Sequence, residues 1–324
     1  MKKLLALLSV ITLFSCNNSK YQNVKGTAFG TYLSVKYQDD LQRDFTKSVD
    51  SLVKSVNKSL STYDKTSDIS KINQGDTSIF VDKKFTEVFN KSKRIFNETN
   101  GVFDPTIGVL VNAWDFGPEK KLKNLDSLKV NELMQQVGFD KVHLLHHKVI
   151  KENKKTYFDF NAIAKGYGID IIGRFLESKN IKNYLVEIGG EIRARGKNNS
   201  GEFWKIGIEN PNFDGSQSIQ KIISLENESI ATSGTYRKFK VDKEGNKYAH
   251  ILNTKTGYPA KSNLLSASVI APLDCADVDG YATALIALGL EKSNVFIKNH
   301  QELKVYLIYI DKEGKIKTFQ SDNF

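Results

Sequence analysis

Apolar residues recur along this chain with a changing period, and the changes mark its elements. Residues 26–37 read as a strand. Leu41, Phe45, Val49, Leu52, Val53, Val56 and Leu60 then return at the spacing of one helical face. Phe85, Val88, Phe89, Ile95 and Phe96 repeat it, with Gly101 placed to end the helix. Further helices are expected over residues 128–137 and 161–176, the second despite Gly166 and Gly168. Strand-like runs follow at residues 183–188, 204–208, 219–225, 248–252, 264–271 and 303–310. Asp242-Lys243-Glu244-Gly245 and Asp311-Lys312-Glu313-Gly314 have the character of hairpin turns. Helices over residues 277–289 and 290–299 separate the last two strands. Helix runs mixed with strand runs, without strict alternation, predict an α+β fold of mixed or antiparallel sheets with packed helices.

The first residues follow a different logic. Lys2 and Lys3 precede a short apolar stretch from Leu4 to Phe14, and Leu13-Phe14-Ser15-Cys16 reads as a lipobox. The stretch is shorter than the roughly 20 residues that cross a bilayer. Residues 1–15 are therefore expected to be a lipoprotein signal peptide, with a secretory signal cut elsewhere as the plainer reading. Cleavage would free Cys16 for acylation, each buried acyl CH₂ adding about 0.8 kcal/mol of membrane attachment. Residues 16–24 are then a lipid-anchored tether, and residues 25–324 a folded region without internal linker or short repeat. No later apolar run is long enough to span a membrane.

Composition narrows the chemistry. The 324 residues carry a formal charge of +10, which falls to +8 without Lys2 and Lys3. The surplus is spread along the chain and suits a solvated lysine-rich surface, with attraction to anionic lipid second. No basic run with interleaved aromatics stands out, so nucleic acid is not an expected partner. Cys275 is the second of two cysteines. An acylated Cys16 leaves it without an intramolecular partner, and the spacing excludes a thiolate zinc site.

Several segments carry candidate chemistry. In Asp279-Gly280-Tyr281-Ala282-Thr283, a helix would set Asp279 and Thr283 one turn apart on one face. A carboxylate and a hydroxyl there suit one hard cation, although an Asp near a helix start is also a cap or dipole partner. Asp159-Phe160-Asn161-Ala162-Ile163-Ala164-Lys165-Gly166 runs into a helix start, where backbone N–H groups and Lys165 suit an anion. Tight helix packing explains its small residues equally well. Glu187-Ile188-Gly189-Gly190-Glu191 is a turn or a close approach to ligand. Ala231-Thr232-Ser233-Gly234-Thr235-Tyr236 is rich in hydroxyls, as a phosphate or ribose site or a strand-end turn would be. His250 could contact phosphate or assist proton transfer, or serve structure alone. Tyr63, Trp114 and Phe116 offer flat faces to a flavin or adenine, or to the core.

These segments, in this order, resemble the ApbE family of FAD:protein FMN transferases. Gly26-Thr27-Ala28-Phe29-Gly30-Thr31 begins the series. Ser61-Thr62-Tyr63 with Ser67, Ser70 and Asn73 follows, then Phe103-Asp104-Pro105-Thr106 and Trp114-Asp115-Phe116-Gly117-Pro118. Asp159 to Gly166, Gly189-Gly190, Trp204-Lys205-Ile206-Gly207-Ile208, Ala231 to Tyr236, His250 to Pro259 and Asp279 to Thr283 complete it. The resemblance implies Mg²⁺ held by Asp279, Thr283 and the carbonyl of Ala162. It implies FAD contacts at Phe29, Tyr63, Trp114, Asp115, Phe116, Asp159, Lys165 and Leu252. Phe29 stands where many members have Met, Asp115 replaces a usual Gly, Asn253 a common Asp, and Ala282 a carboxylate of some members.

The implied reaction is Mg²⁺-assisted transfer of FMN from FAD to a threonine or serine hydroxyl of another protein, with AMP leaving. Asp279 and His250 are the catalytic candidates. The implied acceptor is an electron-transfer subunit at a membrane, and the implied location is a lipid anchor on a bacterial membrane facing the periplasm. A Mg²⁺-dependent FAD pyrophosphatase and a flavin-storing lipoprotein are the alternatives.

Overall fold

A computed structural model describes residues 21–119, 122, 125–214, 216–236, 239–241 and 247–324. The signal segment, Cys16 and the turn at residues 242–245 lie outside these. The chain enters as a hairpin: β1 (Tyr21–Ala28) pairs antiparallel with β2 (Thr31–Gln38). One strand was expected here. Phe29 (φ 52°) and Gly30 (φ 77°) split it, because positive φ at both central residues makes the tight turn whose twist matches paired strands.

Helices α1 (Thr46–Leu60), α2 (Asp68–Asn73), α3 (Lys83–Glu98), α4 (Gly108–Ala113) and α5 (Ser127–Met134) come next. In α1 the expected face turns inward, with Val49, Val53, Val56 and Leu60 buried, while Leu41 lies outside the helix and exposed. Asp82 caps α3, its side chain accepting from the Phe85 N–H, and Gly101 turns the chain beyond its end. A small hairpin, β3 (Val142–Leu145) and β4 (Lys148–Lys151), leads to α6 (Ala164–Ser178). The helix was expected from residue 161. It begins three residues later, because the Asp159 carboxylate accepts from the Asn161 N–H and holds that stretch in a turn.

Eight strands follow: β5 (Tyr184–Ile188), β6 (Glu191–Arg195), β7 (Trp204–Glu209), β8 (Ile219–Leu225), β9 (Ser229–Gly234), β10 (Phe239–Val241), β11 (Lys247–Ala249) and β12 (Leu264–Ala271), with β7–β8 and β10–β11 each forming a separate two-stranded pair. Helix α7 (Cys275–Lys298) and strands β13 (Lys304–Ile310) and β14 (Ile316–Gln320) end the chain. Eight strands form one antiparallel sheet in the order β1-β2-β5-β6-β9-β12-β13-β14, so the α+β expectation is met. The two expected helices after Asp277 join as α7, broken at Gly289, whose φ of 73° and ψ of 170° are non-helical.

Alternation decides which side each strand residue serves. Ile192, Ile230, Ile270 and Ile308 point to the face covered by β7–β8. Ala231, Val269 and Leu307 point to the helices and the larger core. All eight residues of β12 are buried, as expected of a strand covered on both faces. The hydroxyl-rich Ala231–Tyr236 segment, read as a binding or turn element, supplies most of β9, paired to both β6 and β12. The expected strand over residues 248–252 is cut to β11, with Leu252 forming an isolated bridge to Pro259. Among the described residues no helix is long and apolar enough to cross a membrane.

Candidate functional site

A cavity of about 1230 Å³ opens among the α1–α2 turn, the first hairpin turn, the starts of α6 and α7, and the segment after β11. It exceeds the roughly 300–1,000 Å³ of ordinary small-ligand pockets. Phe29, Tyr63, Phe116, Asp159, Ala162, Lys165, His250, Leu252, Asp279 and Thr283 all border it, although they come from six separate stretches of chain.

Two predicted residues do not. Trp114 stands behind the wall, its indole N–H donating to the Gly257 carbonyl at 2.8 Å and its ring against Tyr248 and Tyr258. Asp115 also lies off the wall and pairs with Lys240 on β10. Its φ of 67° explains why glycine would suit the position. The other departures are also accommodated. Phe29 lies on Gly168, where a Cβ would come within 2.3 Å of its ring. Asn253 accepts from the Lys255 and Thr256 N–H groups at 2.9 and 3.2 Å, a turn an Asp would make equally. Ala282 is wholly buried and does not border the cavity.

The charged end of the cavity is set by two helix starts. At Gly166 the backbones of α6 and α7 nearly touch, so a Cβ there would lie 2.4 Å from the Cys275 carbonyl oxygen. This closeness lets the Gly166 N–H donate to Asp279 Oδ2 at 3.0 Å. In return Asp170 of α6 accepts from the Cys275 and Ala276 N–H groups at 2.8 and 2.9 Å. Each helix thus caps the other's open first turn with a carboxylate. Arg193 of β6 joins Asp170 to Asp274, the residue that precedes α7.

Burial pushes the Asp279 carboxyl up to about 7; Lys165 opposes this and Glu191 adds to it. Burial also works against the Lys165 charge, but Asp279 and Glu191 outweigh it and raise its pKa. Lys165 Nζ is bonded to Glu191 Oε1. Glu191 is buried and borders the cavity; the sequence offered it only as the end of the Glu187–Glu191 turn segment, not as a site residue. The signal was the Gly189-Gly190 pair before it: both glycines have positive φ and make the turn that brings Glu191 inward on β6. Thr283 follows Asp279 by one helical turn, its Oγ1 lying 3.0 Å from Ser233 Oγ.

Among the described residues no three His, Cys, Asp or Glu side chains gather into a metal cluster. Asp279, Thr283 and Ala162 all border the cavity, and a carboxylate, a hydroxyl and a backbone carbonyl are oxygen donors of the kind a hard cation takes.

An antiparallel α+β fold here frames a large cavity lined by charged and aromatic residues. The family assignment follows from sequence. The ApbE family profile matches residues 29–307, and this chain belongs to that family. It is 37% identical to the FAD:protein FMN transferase of Haemophilus influenzae, over 97% of this chain and 95% of that protein. It is 33% identical to the enzyme of the same name from Vibrio cholerae, over 99% and 97%. The solved structure of the flavin transferase ApbE from Vibrio cholerae superposes with a TM-score of 0.85 at 32% identity, covering 94% of this chain and 98% of that one.

Proposed function

We propose that this chain moves FMN from FAD to a threonine or serine hydroxyl of an acceptor protein and releases AMP. The observation that carries the reading is the single cavity in which predicted flavin-facing, phosphate-facing and metal-binding residues meet. Phe29, Tyr63, Phe116 and Leu252 offer apolar or flat surface for the flavin. Lys165, at the start of α6, meets the pyrophosphate with the positive end of that helix. The acceptor oxygen attacks the FMN phosphorus, the bond from that phosphorus to the AMP phosphate breaks, and a phosphoester to the acceptor forms. His250, on the cavity wall beside Phe116, takes the hydroxyl proton. Asp279 orients that hydroxyl. Asp279, Thr283 and the Ala162 carbonyl would hold Mg²⁺. Such an ion supplies counter-charge to the pyrophosphate and to the leaving AMP.

Incubation with FAD and Mg²⁺, with and without an acceptor protein, tests the reading. Acceptor that gains the mass of FMN supports it. Free FMN and AMP in both arms would assign a pyrophosphatase, and unchanged FAD a flavin store. Residues 25–324 act, in this proposal, as one catalytic domain, and Cys16 is the acylated first residue that ties it to a membrane facing the periplasm. An electron-transfer subunit at that membrane is the proposed acceptor. Mass spectrometry of the native N-terminus checks the anchor; an unmodified start elsewhere would overturn it.

A further inference from the structure

Lys165 and Gly166 are consecutive residues in the first turn of α6, yet they serve different carboxylates. The Gly166 N–H holds Asp279. The Lys165 side chain turns instead to Glu191 of β6. Both carboxylates border the same cavity, and a lysine ammonium on its flexible stem can reach for either. We propose that Glu191 is a positioning residue that holds the Lys165 ammonium away from Asp279, and so keeps the Asp279 carboxylate open to a divalent cation.

Glu191 is fixed for this task. It follows the Gly189-Gly190 turn on β6, its side chain is 5% exposed, and strands β5 and β9 pair on either side of β6. Lys165, at 31% exposed, is the less enclosed partner of this pair. With Glu191 neutralised, Asp279 becomes the carboxylate toward which the ammonium moves. An ammonium seated there competes directly with a hard cation for the same oxygens. The inference rests on the proposed function for the identity of the site, but its test does not use transfer activity.

Mg²⁺ binding is measured by titration calorimetry on the full chain without FAD, for wild type, Glu191→Gln, Lys165→Met and the double variant. Thermal melting confirms that each is folded. Removing a residue that orients a metal ligand typically costs about 10–100-fold in affinity, and Glu191→Gln should lose at least about tenfold. The double variant should return to near wild type, and Lys165→Met alone should bind at least as well as wild type. A crystal structure of Glu191→Gln should show Lys165 Nζ moved onto the Asp279 carboxylate.

Unchanged affinity in Glu191→Gln overturns the proposal. So does a loss of affinity with Lys165 unmoved, which would reflect the missing charge alone. If Glu191→Gln does not fold, Lys165→Met still decides, since weaker binding than wild type contradicts a competing ammonium. A wild type that binds no Mg²⁺ overturns the proposal and the metal assignment, while FMN transfer by that protein would leave the reaction class standing.

Discussion

Gly166→Ala is the sharpest probe of how the site is built. In most helices such a change stabilises, because glycine costs about 1 kcal/mol relative to alanine. Here the added Cβ would lie 2.4 Å from Cys275 O, 2.6 Å from Cys275 C and 2.7 Å from Ala276 N. All three are backbone atoms at the start of α7, so relief requires one helix to move. Overpacking of this kind costs about 1–3 kcal/mol. Movement also strains the 3.0 Å bond from Gly166 N–H to the buried Asp279 carboxylate, and leaving such a group unsatisfied costs about 1–3 kcal/mol more. Set against the propensity gain, the net loss is about 1–5 kcal/mol, or a fall in Tm of roughly 2–8 °C for a chain of this length. The assay is thermal melting by circular dichroism, with Gly26→Ala as control, because a Cβ at Gly26 meets nothing within 4 Å. A Gly166→Ala protein that melts at or above wild type would refute the argument that these helix starts are locked together.

Three further outcomes are expected. Asp279→Asn keeps size but removes the charge a hard cation needs, so FMN transfer should vanish with the fold intact, and Thr283→Val should cost less because water can replace a neutral ligand; wild-type transfer with unchanged Mg²⁺ dependence in Asp279→Asn would remove the assignment. Tyr63→Ala should weaken FAD binding by about 1 kcal/mol, roughly fivefold, through a lost stacking face, whereas Trp114→Ala should act by loosening Tyr248 and lower Tm as well; the reverse pattern in titration and melting would exchange their roles. Lys91, Arg174 and Arg193 hold the Asp274 carboxyl well below the usual range against the cost of burial. A depressed pKa stabilises above the unfolded value of about 4 and is lost as pH falls below it, so Tm should decline there, less steeply in Asp274→Asn; equal slopes would show that another group governs acid unfolding.

The sequence made some of this legible and hid the rest for physical reasons. α1 and α3 are amphipathic helices, and a helical face can be read from one segment alone. β6 and β9 are different. In β6, Glu191 and Arg193 face the helices while Ile192 and Ala194 face β7–β8, so half the strand looks polar although four of its five residues are buried. In β9, small hydroxyl residues stand where α7 packs close, and the strand is defined by pairing with β6 and β12, whose positions no local pattern encodes. Trp114 and Tyr63 show the same limit. Both are aromatics in matching motifs, but the hydrogen bond to Gly257 puts Trp114 behind the wall, and that bond joins residues far apart in the chain.

The paired helix starts explain why Asp279 can be both buried and useful. A carboxylate without water normally sheds its charge, and burial does push this one up to about 7. One of its oxygens is nevertheless engaged by the α6 N–H at Gly166, which fixes the side chain in one direction. Asp170 answers from α6 by holding two N–H groups of α7, and Arg193 ties Asp170 to Asp274, so the helix that carries Asp279 cannot turn without breaking bonds on three elements. A carboxylate placed this way gains most from a cation arriving at the cavity side. On the proposed reading the ion would replace the missing solvation, with the carboxylate already held in place for it. The cost of burying Asp279 is therefore carried by the fold before any ligand enters.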